Sequence, residues 1–221
     1  LPSGGTIPLI PDAAAAFEET KPDVVIDFTN AAWTPILADV ALERGVRLVI
    51  GTTGLPQSFV ADLAKRCAAR KLGGLIAANF TIGAVLMMHM AKIAARFFES
   101  AEIIELHHDQ KVDAPSGTSI TTARGMIEAR DGRPFKRNIP DAETIEGTRA
   151  GTYDGITIHS VRLRGLFAHQ EVLFGGPGET LSIRHDSMSR EAYMPGILLA
   201  AREVMRRDHL VVGLDALMGV T

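Results

Sequence analysis

The segment that decides the fold reads Pro22-Asp23-Val24-Val25-Ile26-Asp27-Phe28-Thr29, a short apolar run that ends in polar residues. An apolar run without alternation is typical of a strand that is buried on both faces of a parallel sheet. Two similar runs follow, and each run precedes a segment with the composition of a helix. The predicted strands are 24–27, 47–50 and 75–77, and the predicted helices are 31–44, 58–70 and 82–98. Gly45 is expected to end the first helix, and Ser58 is expected to be the N-cap of the second. This alternation predicts an α/β fold whose parallel sheet carries helices on both faces.

The second half of the chain has a different pattern, with more strands and fewer helices. We expect a strand over 103–108, a helix over 118–129 and a loop over 130–153 that is rich in Gly, Pro, Asp and Arg. Three strands (156–163, 169–174 and 180–185) then have the appearance of an antiparallel meander. A tight Gly175-Gly176-Pro177-Gly178 turn joins the last two of them. A final helix is predicted over 190–206.

Composition excludes several classes of protein. The 221 residues are 46% apolar and 22% charged, with a net charge of −3, so a sizeable core is expected and a basic nucleic-acid surface is not. The most apolar stretch, 83–90, is too short to span a membrane, and no signal peptide is visible. The lone Cys67 cannot form an internal disulfide and is expected to be a packed thiol. These features predict a soluble protein of a reducing compartment, the cytoplasm.

Ligands bind parallel sheets at the carboxyl ends of the strands, where three loops of this chain should meet. The first loop begins at Thr29. The second, Gly51-Thr52-Thr53-Gly54, combines glycines that allow close approach of a ligand with hydroxyls that can bind it, although a simple strand-to-helix turn would have the same sequence. The third, Ala77-Ala78-Asn79-Phe80, has small residues and a ring that could pack on a flat ligand or in the core.

The most specific signal is the segment 105–118, which concentrates two histidines, a lysine and a Ser-Gly-Thr turn. His107 and His108 can exchange protons near neutral pH, and Lys111 adds a positive charge or a second proton donor. Ser116-Gly117-Thr118 begins a helix, whose free amides form an anion site. Together these groups suit a carboxylate substrate. Each histidine alone would be read as structural, and the spacing lacks the features of a metal site, so no metal is expected. The histidines at 159, 169 and 185 are expected to be structural, and the arginines at 184 and 190 to be solvated.

These motifs resemble those of the 4-hydroxy-tetrahydrodipicolinate (dihydrodipicolinate) reductase family. The resemblance rests on the segment from Glu105 to Thr118, which follows the family pattern Glu-x-His-His-x-x-Lys-x-Asp-x-Pro-Ser-Gly-Thr, and it covers the chain from about Pro22. The segments 25–29, 51–54, 78–80 and 162–187 support it. The resemblance implies a Rossmann-like cofactor domain formed by residues 1–79 and about 191–221. It also implies a substrate-binding and oligomerisation domain formed by residues 80–190, of α+β type with a mixed four-stranded sheet.

The resemblance also implies a reaction and the residues that perform it. Members of the family reduce a cyclic dicarboxylate with NADH or NADPH in lysine and diaminopimelate biosynthesis, and they are usually homotetramers. By position, His107 corresponds to a proton donor/acceptor and Lys111 to a proton donor, while His108, Gly117 and Thr118 correspond to substrate ligands. The implied contacts to the nicotinamide side of the cofactor are Gly51, Thr52, Thr53, Ala77, Ala78, Asn79 and Phe80.

One part of the family pattern does not occur in this sequence. The family opens with a strand and a Gly-x-x-Gly-x-x-Gly turn that cradles the pyrophosphate, whereas no strand precedes Gly4-Gly5 here. We therefore expect either that about fifty residues lie upstream of Leu1 or that the 221 residues bind the dinucleotide poorly. Two other functions stay open at this stage: a different two-domain NAD(P)-dependent dehydrogenase, and a non-catalytic dicarboxylate-binding module.

Overall fold

Helices and strands alternate along the first part of the chain, as the sequence predicts, and strands predominate later. The computed structural model describes residues 6–137 and 139–220, so the Gly4-Gly5 pair lies outside the described residues. The helices are α1 (Ala13–Thr20), α2 (Thr34–Glu43), α3 (Gln57–Arg70), α4 (Ile82–Ala94), α5 (Gly117–Glu128), α6 (Met194–Val204) and α7 (Leu214–Met218), with a 3-10 helix at Arg190–Tyr193. The strands are β1 (Val24–Asp27), β2 (Arg47–Ile50), β3 (Gly74–Ile76), β4 (Ser100–His107), β5 (Gly151–Tyr153), β6 (Ile156–Arg162), β7 (Ala168–Gly176), β8 (Glu179–Ser187) and β9 (Leu210–Val212).

The chain divides into two units, the first of which contains residues 6–80 and Pro195–Gly219. Its sheet has the order β1-β2-β3-β9, and every pair of neighbours is parallel. The register aligns Asp27 with Ile50, Ile50 with Ile76 and Ile76 with Val212, so the carboxyl ends of the four strands lie along one edge. The predicted parallel sheet is thus confirmed. Its apolar runs contribute residues to a buried core to which α2 and α3 also contribute.

Several elements of this unit differ from the prediction. Helix α1 was not predicted, although Asp12 caps it by accepting a hydrogen bond from the amide of Ala15 at 2.8 Å. Strand β9 and helix α7 were missed as well, because three and five residues are too few for a periodic pattern. Helix α2 begins at Thr34, not at 31, and α3 begins after Pro56, so the predicted cap Ser58 lies inside its first turn.

The second unit, Thr81–Met194, contains a mixed five-stranded sheet of order β5-β6-β4-β7-β8. The four-stranded expectation misses one strand, the three-residue β5. The predicted meander of β6, β7 and β8 is also wrong in part. Only β7 and β8 are neighbours, since β4 lies between β6 and β7, parallel to the first and antiparallel to the second. The two-residue turn that joins β7 and β8 is Pro177-Gly178.

Alternate residues of β4 face the core of this second unit. Ala101 and Ile103 are buried there with residues of β6 and β7, and α4 and α5 cover them. Helix α4 ends at Ala94, four residues before the predicted end. The following segment is held by Arg130, which is 5% exposed and donates hydrogen bonds to the carbonyls of Ala95 and Phe98. No helix in the described parts of the chain is long and apolar enough to cross a membrane.

Candidate active site

A buried carboxylate, Glu105, lies at the centre of the cluster that the sequence predicted in the second unit. It continues the core-facing row of β4 and is fully buried. Arg162, on the neighbouring strand β6, donates from two guanidinium nitrogens to the two carboxylate oxygens at 2.8 and 2.9 Å. His107, two residues along β4, donates from Nδ1 to Oε2 at 2.5 Å. The strand pairing thus assembles an Arg-Glu-His group at the carboxyl end of β4.

The hydrogen bonds determine the charge of this group. Burial would raise the pKa of Glu105, but hydrogen bonds from His107, Arg162 and Ser160 lower that pKa to about 2. The carboxylate therefore stays ionised at neutral pH and holds His107 with its proton on Nδ1. Because Nδ1 is engaged, Nε2 is the nitrogen with which His107 can exchange a proton with a ligand.

The loop after β4 carries Lys111 and is attached to the same group. Arg162 donates a further hydrogen bond to the carbonyl of Asp113 at 2.6 Å, and the Lys111 amide donates to the His108 carbonyl at 3.2 Å. The Lys111 ammonium pairs with the Asp113 carboxylate at 2.6 Å, and this hydrogen bond lowers the pKa of Asp113. Lys111 and His107 are thus both connected to Arg162, which the sequence reasoning had not singled out.

The beginning of helix α5 is fixed by buried polar side chains. Ser116 is the N-cap and accepts from the Ser119 amide at 3.2 Å. Ser119 in turn donates to Gln170 of β7 at 2.8 Å, and Gln170 donates to Thr122 at 2.8 Å. Helix geometry leaves the first amides, those of Gly117 and Thr118, without partners in the helix. A Cβ added at Gly117 would meet no atom within 4 Å, so space is open beside the α-carbon of this residue.

In the first unit, the predicted loops lie at the ends of neighbouring strands. The Gly51 amide donates to the Asp27 carbonyl at 2.8 Å, and the Ala77 amide donates to the Ile50 carbonyl at 3.0 Å. The segments Gly51-Thr52-Thr53 and Ala77-Ala78-Asn79-Phe80 are therefore adjacent along the edge of one parallel sheet. Such an edge is the usual binding place of a nucleotide in an α/β fold.

Individual side chains in these loops have different surroundings. Thr52 is buried and donates to Asp27 at 3.2 Å, whereas Thr53 and Ala78 are exposed. A Cβ at Gly51 would lie 2.1 Å from the Phe28 ring, so the glycine makes room for that ring. Phe80 is 2% exposed and its ring lies 5.2 Å from that of Phe28. A ligand could therefore reach Phe80 only through its backbone.

Comparison with known proteins agrees with this arrangement. Residues 5–80 match the family profile described as "Dihydrodipicolinate reductase, N-terminus", and residues 83–218 match the profile described as "Dihydrodipicolinate reductase, C-terminus". The chain belongs to the dihydrodipicolinate reductase family. A relative named 4-hydroxy-tetrahydrodipicolinate reductase from Dehalococcoides mccartyi (strain BAV1) is 47% identical over 219 residues, which cover 99% of this chain and 82% of the relative. One from Shouchella clausii, with the same name, is 50% identical over 215 residues, which cover 97% and 81%.

Solved structures agree with the assignment to the dihydrodipicolinate reductase family. Dihydrodipicolinate reductase from Paenisporosarcina sp. TG-14, with dipicolinate bound, superimposes with a TM-score of 0.86 at 42% identity, covering 96% of this chain and 82% of that one. An amine dehydrogenase from Mycobacterium smegmatis superimposes with a TM-score of 0.56 at 12% identity, covering 92% of this chain and 78% of that one. The second likeness is one of fold alone.

The three histidines that the sequence predicts to be structural each contact other residues of this chain. His159 contacts Glu102 at 2.7 Å, and His169 bonds Asp186 at 2.6 Å through Nδ1. His185 packs against Gly83 at the start of α4, and burial lowers its pKa. Among the described residues, no group of three or more acidic, His or Cys side chains is arranged to hold a metal.

Sequence reasoning missed three residues that organise the two predicted clusters: Arg162, Gln170 and Asp27. For Asp27 and Glu105 a signal existed, since each acid directly follows apolar residues of a strand, a place where an unpartnered charge would be costly. For Arg162 and Gln170 no local signal existed. The role of Arg162 depends on the pairing of β4 with β6, and the role of Gln170 depends on the position of α5 against β7.

Proposed function

We propose that this chain reduces 4-hydroxy-tetrahydrodipicolinate to tetrahydrodipicolinate with NADH or NADPH, a step of lysine and diaminopimelate biosynthesis. The observation that carries the proposal is the Arg162-Glu105-His107 group, with Lys111 attached to it through Asp113. Family membership, and relatives that are named for this reaction at 47 and 50% identity, support it. The dipicolinate in the Paenisporosarcina enzyme supports a cyclic dicarboxylate as the substrate class.

The second unit, which corresponds to the substrate-binding domain, would hold the carboxylates of the substrate. The amides of Gly117 and Thr118 point out of the first turn of α5 and carry the positive end of the helix dipole. His108 and Lys111 add donors from the preceding loop. For Lys111 to bind a carboxylate, it exchanges its partner Asp113, which is half-exposed, for the ligand. Two negative groups bound in this way orient the ring and stabilise negative charge that develops during reduction.

Proton delivery is assigned to His107 and Lys111. Glu105 accepts the Nδ1 hydrogen of His107 and so orients the ring with Nε2 free to exchange a proton with a ligand, and the side chain, which is 14% exposed, can be reloaded from solvent. Lys111 is the second candidate because its ammonium has three donor positions and Asp113 occupies only some of them. The product lacks the hydroxyl group of the substrate, so the reduction is accompanied by loss of water.

The first unit, which corresponds to the cofactor domain, would hold the nicotinamide half of the nucleotide. The nucleotide supplies a hydride. The residues present fit such a group, since Gly51, Thr52 and Thr53 lie at the end of one parallel strand and Ala77 to Phe80 at the end of the next. Gly54, with φ of +76°, has a conformation that favours glycine and keeps the space beside this turn open.

We further propose that the enzyme is a cytoplasmic homotetramer. The support for assembly comes from the outer face of the sheet of the second unit, opposite the face that packs on the core. This outer face carries aliphatic residues that are only partly buried: Ile104, Leu106, Val161 and Leu173. Partly exposed aliphatic residues along adjacent strands are suited to packing against another copy. Light scattering coupled to size-exclusion chromatography tests this expectation, and a monomer at micromolar concentration would contradict it.

The central experiment measures oxidation of NADH and NADPH by the purified chain with enzymatically generated 4-hydroxy-tetrahydrodipicolinate. We expect turnover with this substrate and competitive inhibition by dipicolinate. Lys111→Ala should lower kcat by about 10²–10⁴-fold. Lys65→Ala, the same change at an exposed position of α3, should leave kcat unchanged. Turnover with an amino acid or a semialdehyde instead would indicate another dehydrogenase. Dipicolinate binding without any turnover would indicate a binding module.

A further inference from the structure

Asp27, at the carboxyl end of β1, is a buried acid without a cationic partner. Its side chain is 1% exposed, and among residues 6–137 and 139–220 no Lys, Arg or His forms an ion pair with it. Buried carboxylates in proteins are usually paired with a cation or strongly hydrogen-bonded, since burial of a bare charge is costly. The surroundings of Asp27 are therefore informative about its role.

Three threonine hydroxyls satisfy this carboxylate. Thr29 donates from its amide at 3.0 Å and from its hydroxyl at 2.6 Å to Oδ1. Thr34, the first residue of α2, and Thr52, in the loop after β2, donate their hydroxyls to Oδ2 at 2.5 and 3.2 Å. Asp27 thus joins three separate segments at the edge of the parallel sheet, one of which is the Gly51-Thr52-Thr53 turn.

The bond from Thr52 also fixes the direction of the Thr52 hydroxyl. A threonine hydroxyl has one hydrogen, and once that hydrogen is donated to Asp27 the oxygen can only accept. The Thr52 oxygen is therefore restricted to accepting from N–H or O–H donors. The nicotinamide ring carries such a donor, the NH2 of its carboxamide group, whereas a ring that carries a carboxylate at the same position does not.

We propose that Asp27 is a positioning residue for the nicotinamide end of the nucleotide: it holds the Gly51-Thr52-Thr53 turn and makes the Thr52 hydroxyl an acceptor for the carboxamide NH2. This inference rests on the proposed function, because it takes the same edge of the sheet as the nucleotide site. It adds the group of the nucleotide that is recognised and the residue that sets this recognition. Asp27 acts through Thr52 and does not itself touch the nucleotide.

The test compares nucleotide binding in variants of the full chain, measured by calorimetry with NADH. In Asp27→Asn, an amide NH2 replaces one carboxylate oxygen and donates to Thr52, so the hydroxyl hydrogen points elsewhere. We expect Kd for NADH to rise about tenfold, the usual effect of one lost hydrogen bond between neutral groups, while Kd for dipicolinate changes less than twofold. Thr52→Val should match this effect and Thr52→Ser should not, and the double variant should bind no more weakly than either single one.

Thr34→Val is the matched control, since it removes another hydrogen bond to Oδ2 without touching the turn. It should leave Kd for NADH unchanged. For the wild type we expect weaker binding of the nucleotide that carries nicotinic acid in place of nicotinamide, and this preference should disappear in Thr52→Val. If Asp27→Asn does not fold, the two Thr52 variants decide the question.

The inference is overturned if Thr52→Val binds NADH like the wild type, if Thr34→Val weakens binding as much as Asp27→Asn, or if dipicolinate binding falls in parallel. A wild-type chain that binds NADH and dipicolinate but shows no turnover would contradict the proposed function and leave this inference standing.

Discussion

Replacement of Glu105 by Gln should destabilise the protein in a way that depends on pH. The substitution keeps the size of the side chain but removes its charge. Oε1 accepts from Arg162, and Oε2 accepts from both Arg162 and His107. An amide has only one acceptor oxygen, so its NH2 would face a donor whichever way it is turned. The variant therefore loses at least one strong hydrogen bond and leaves a guanidinium with no counter-charge.

The pKa of Glu105 gives the size of the effect. Folding lowers this pKa from 4.5 to about 2, and a difference of this size corresponds to about 3 kcal/mol of stability. Because the folded pKa is the lower one, the stabilisation is fully present above pH 4.5 and is lost as the pH falls towards 2. The wild type should exceed Glu105→Gln by about 3 kcal/mol at pH 7 and by about half of that at pH 3.

Urea unfolding followed by circular dichroism at both pH values measures this difference. Glu102→Gln is the matched control: it is the same substitution on the same strand, at a carboxylate that is 34% exposed and pairs with Arg149 and His159. Its loss should lie within about 1 kcal/mol, as is usual for exposed ion pairs. The reasoning is refuted if Glu105→Gln costs no more than this control at pH 7, or if its cost is as large at pH 3 as at pH 7.

Three other predictions follow from the packing and the hydrogen bonds. His107→Gln should lower kcat by about 10²–10⁴ in the nucleotide-oxidation assay, and near-normal turnover would exclude it as a proton donor. Gln170→Leu removes one of the two hydrogen bonds made by each of two hydroxyls of α5, those of Ser119 and Thr122, so it should cost about 1–3 kcal/mol and raise Kd for dipicolinate. An unchanged Kd in the folded variant would argue against the link. Gly196→Ala would place a Cβ 1.9 Å from the backbone carbonyl of Phe80 and should lower the stability by about 1–3 kcal/mol. Gly125→Ala, where a Cβ would meet no atom within 4 Å, should raise the stability by up to about 1 kcal/mol. Equal changes in the two Tm values would contradict this reasoning.

The parallel sheet could be predicted because its strands are buried on both faces, and such strands are continuous apolar runs in the sequence. The second sheet could be predicted only as a set of strands. Periodicity shows which residues of β4 face the core, but it contains no information on which strand lies beside β4. The parallel pairing of β4 with β6 joins residues about 55 positions apart, and the sequence suggested a simpler order of neighbours. Short elements such as β5 and β9 have too few residues for any period to be detected.

The candidate site was predictable to the extent that its residues are close in sequence. The histidines, Lys111 and the start of α5 fall within one short segment, and its composition points to proton transfer and anion binding. Arg162 lies outside that segment, and its contact with Glu105 exists because β6 lies beside β4. At Gly51 the structure adds a packing reason for glycine that the sequence does not show, because a Cβ there would meet the Phe28 ring; the expected contact of its backbone with the cofactor stays a prediction.

Each of the two clusters is organised by an acid near the end of a strand, after a run of apolar residues. Burial of a charge there costs free energy unless hydrogen-bond donors surround it, so the acid itself predicts that such donors are close by. Asp27 follows Val-Val-Ile and Glu105 follows Ile-Ile, each at a position where an apolar residue would be more stable. An acid retained there requires several donors, and donors that are satisfied by an acid become fixed in direction. In one sheet this fixes the hydroxyl of Thr52, and in the other it fixes the ring of His107. The same substitution, acid to amide, should therefore act on nucleotide binding at Asp27 and on proton transfer at Glu105, although the two acids lie in different units.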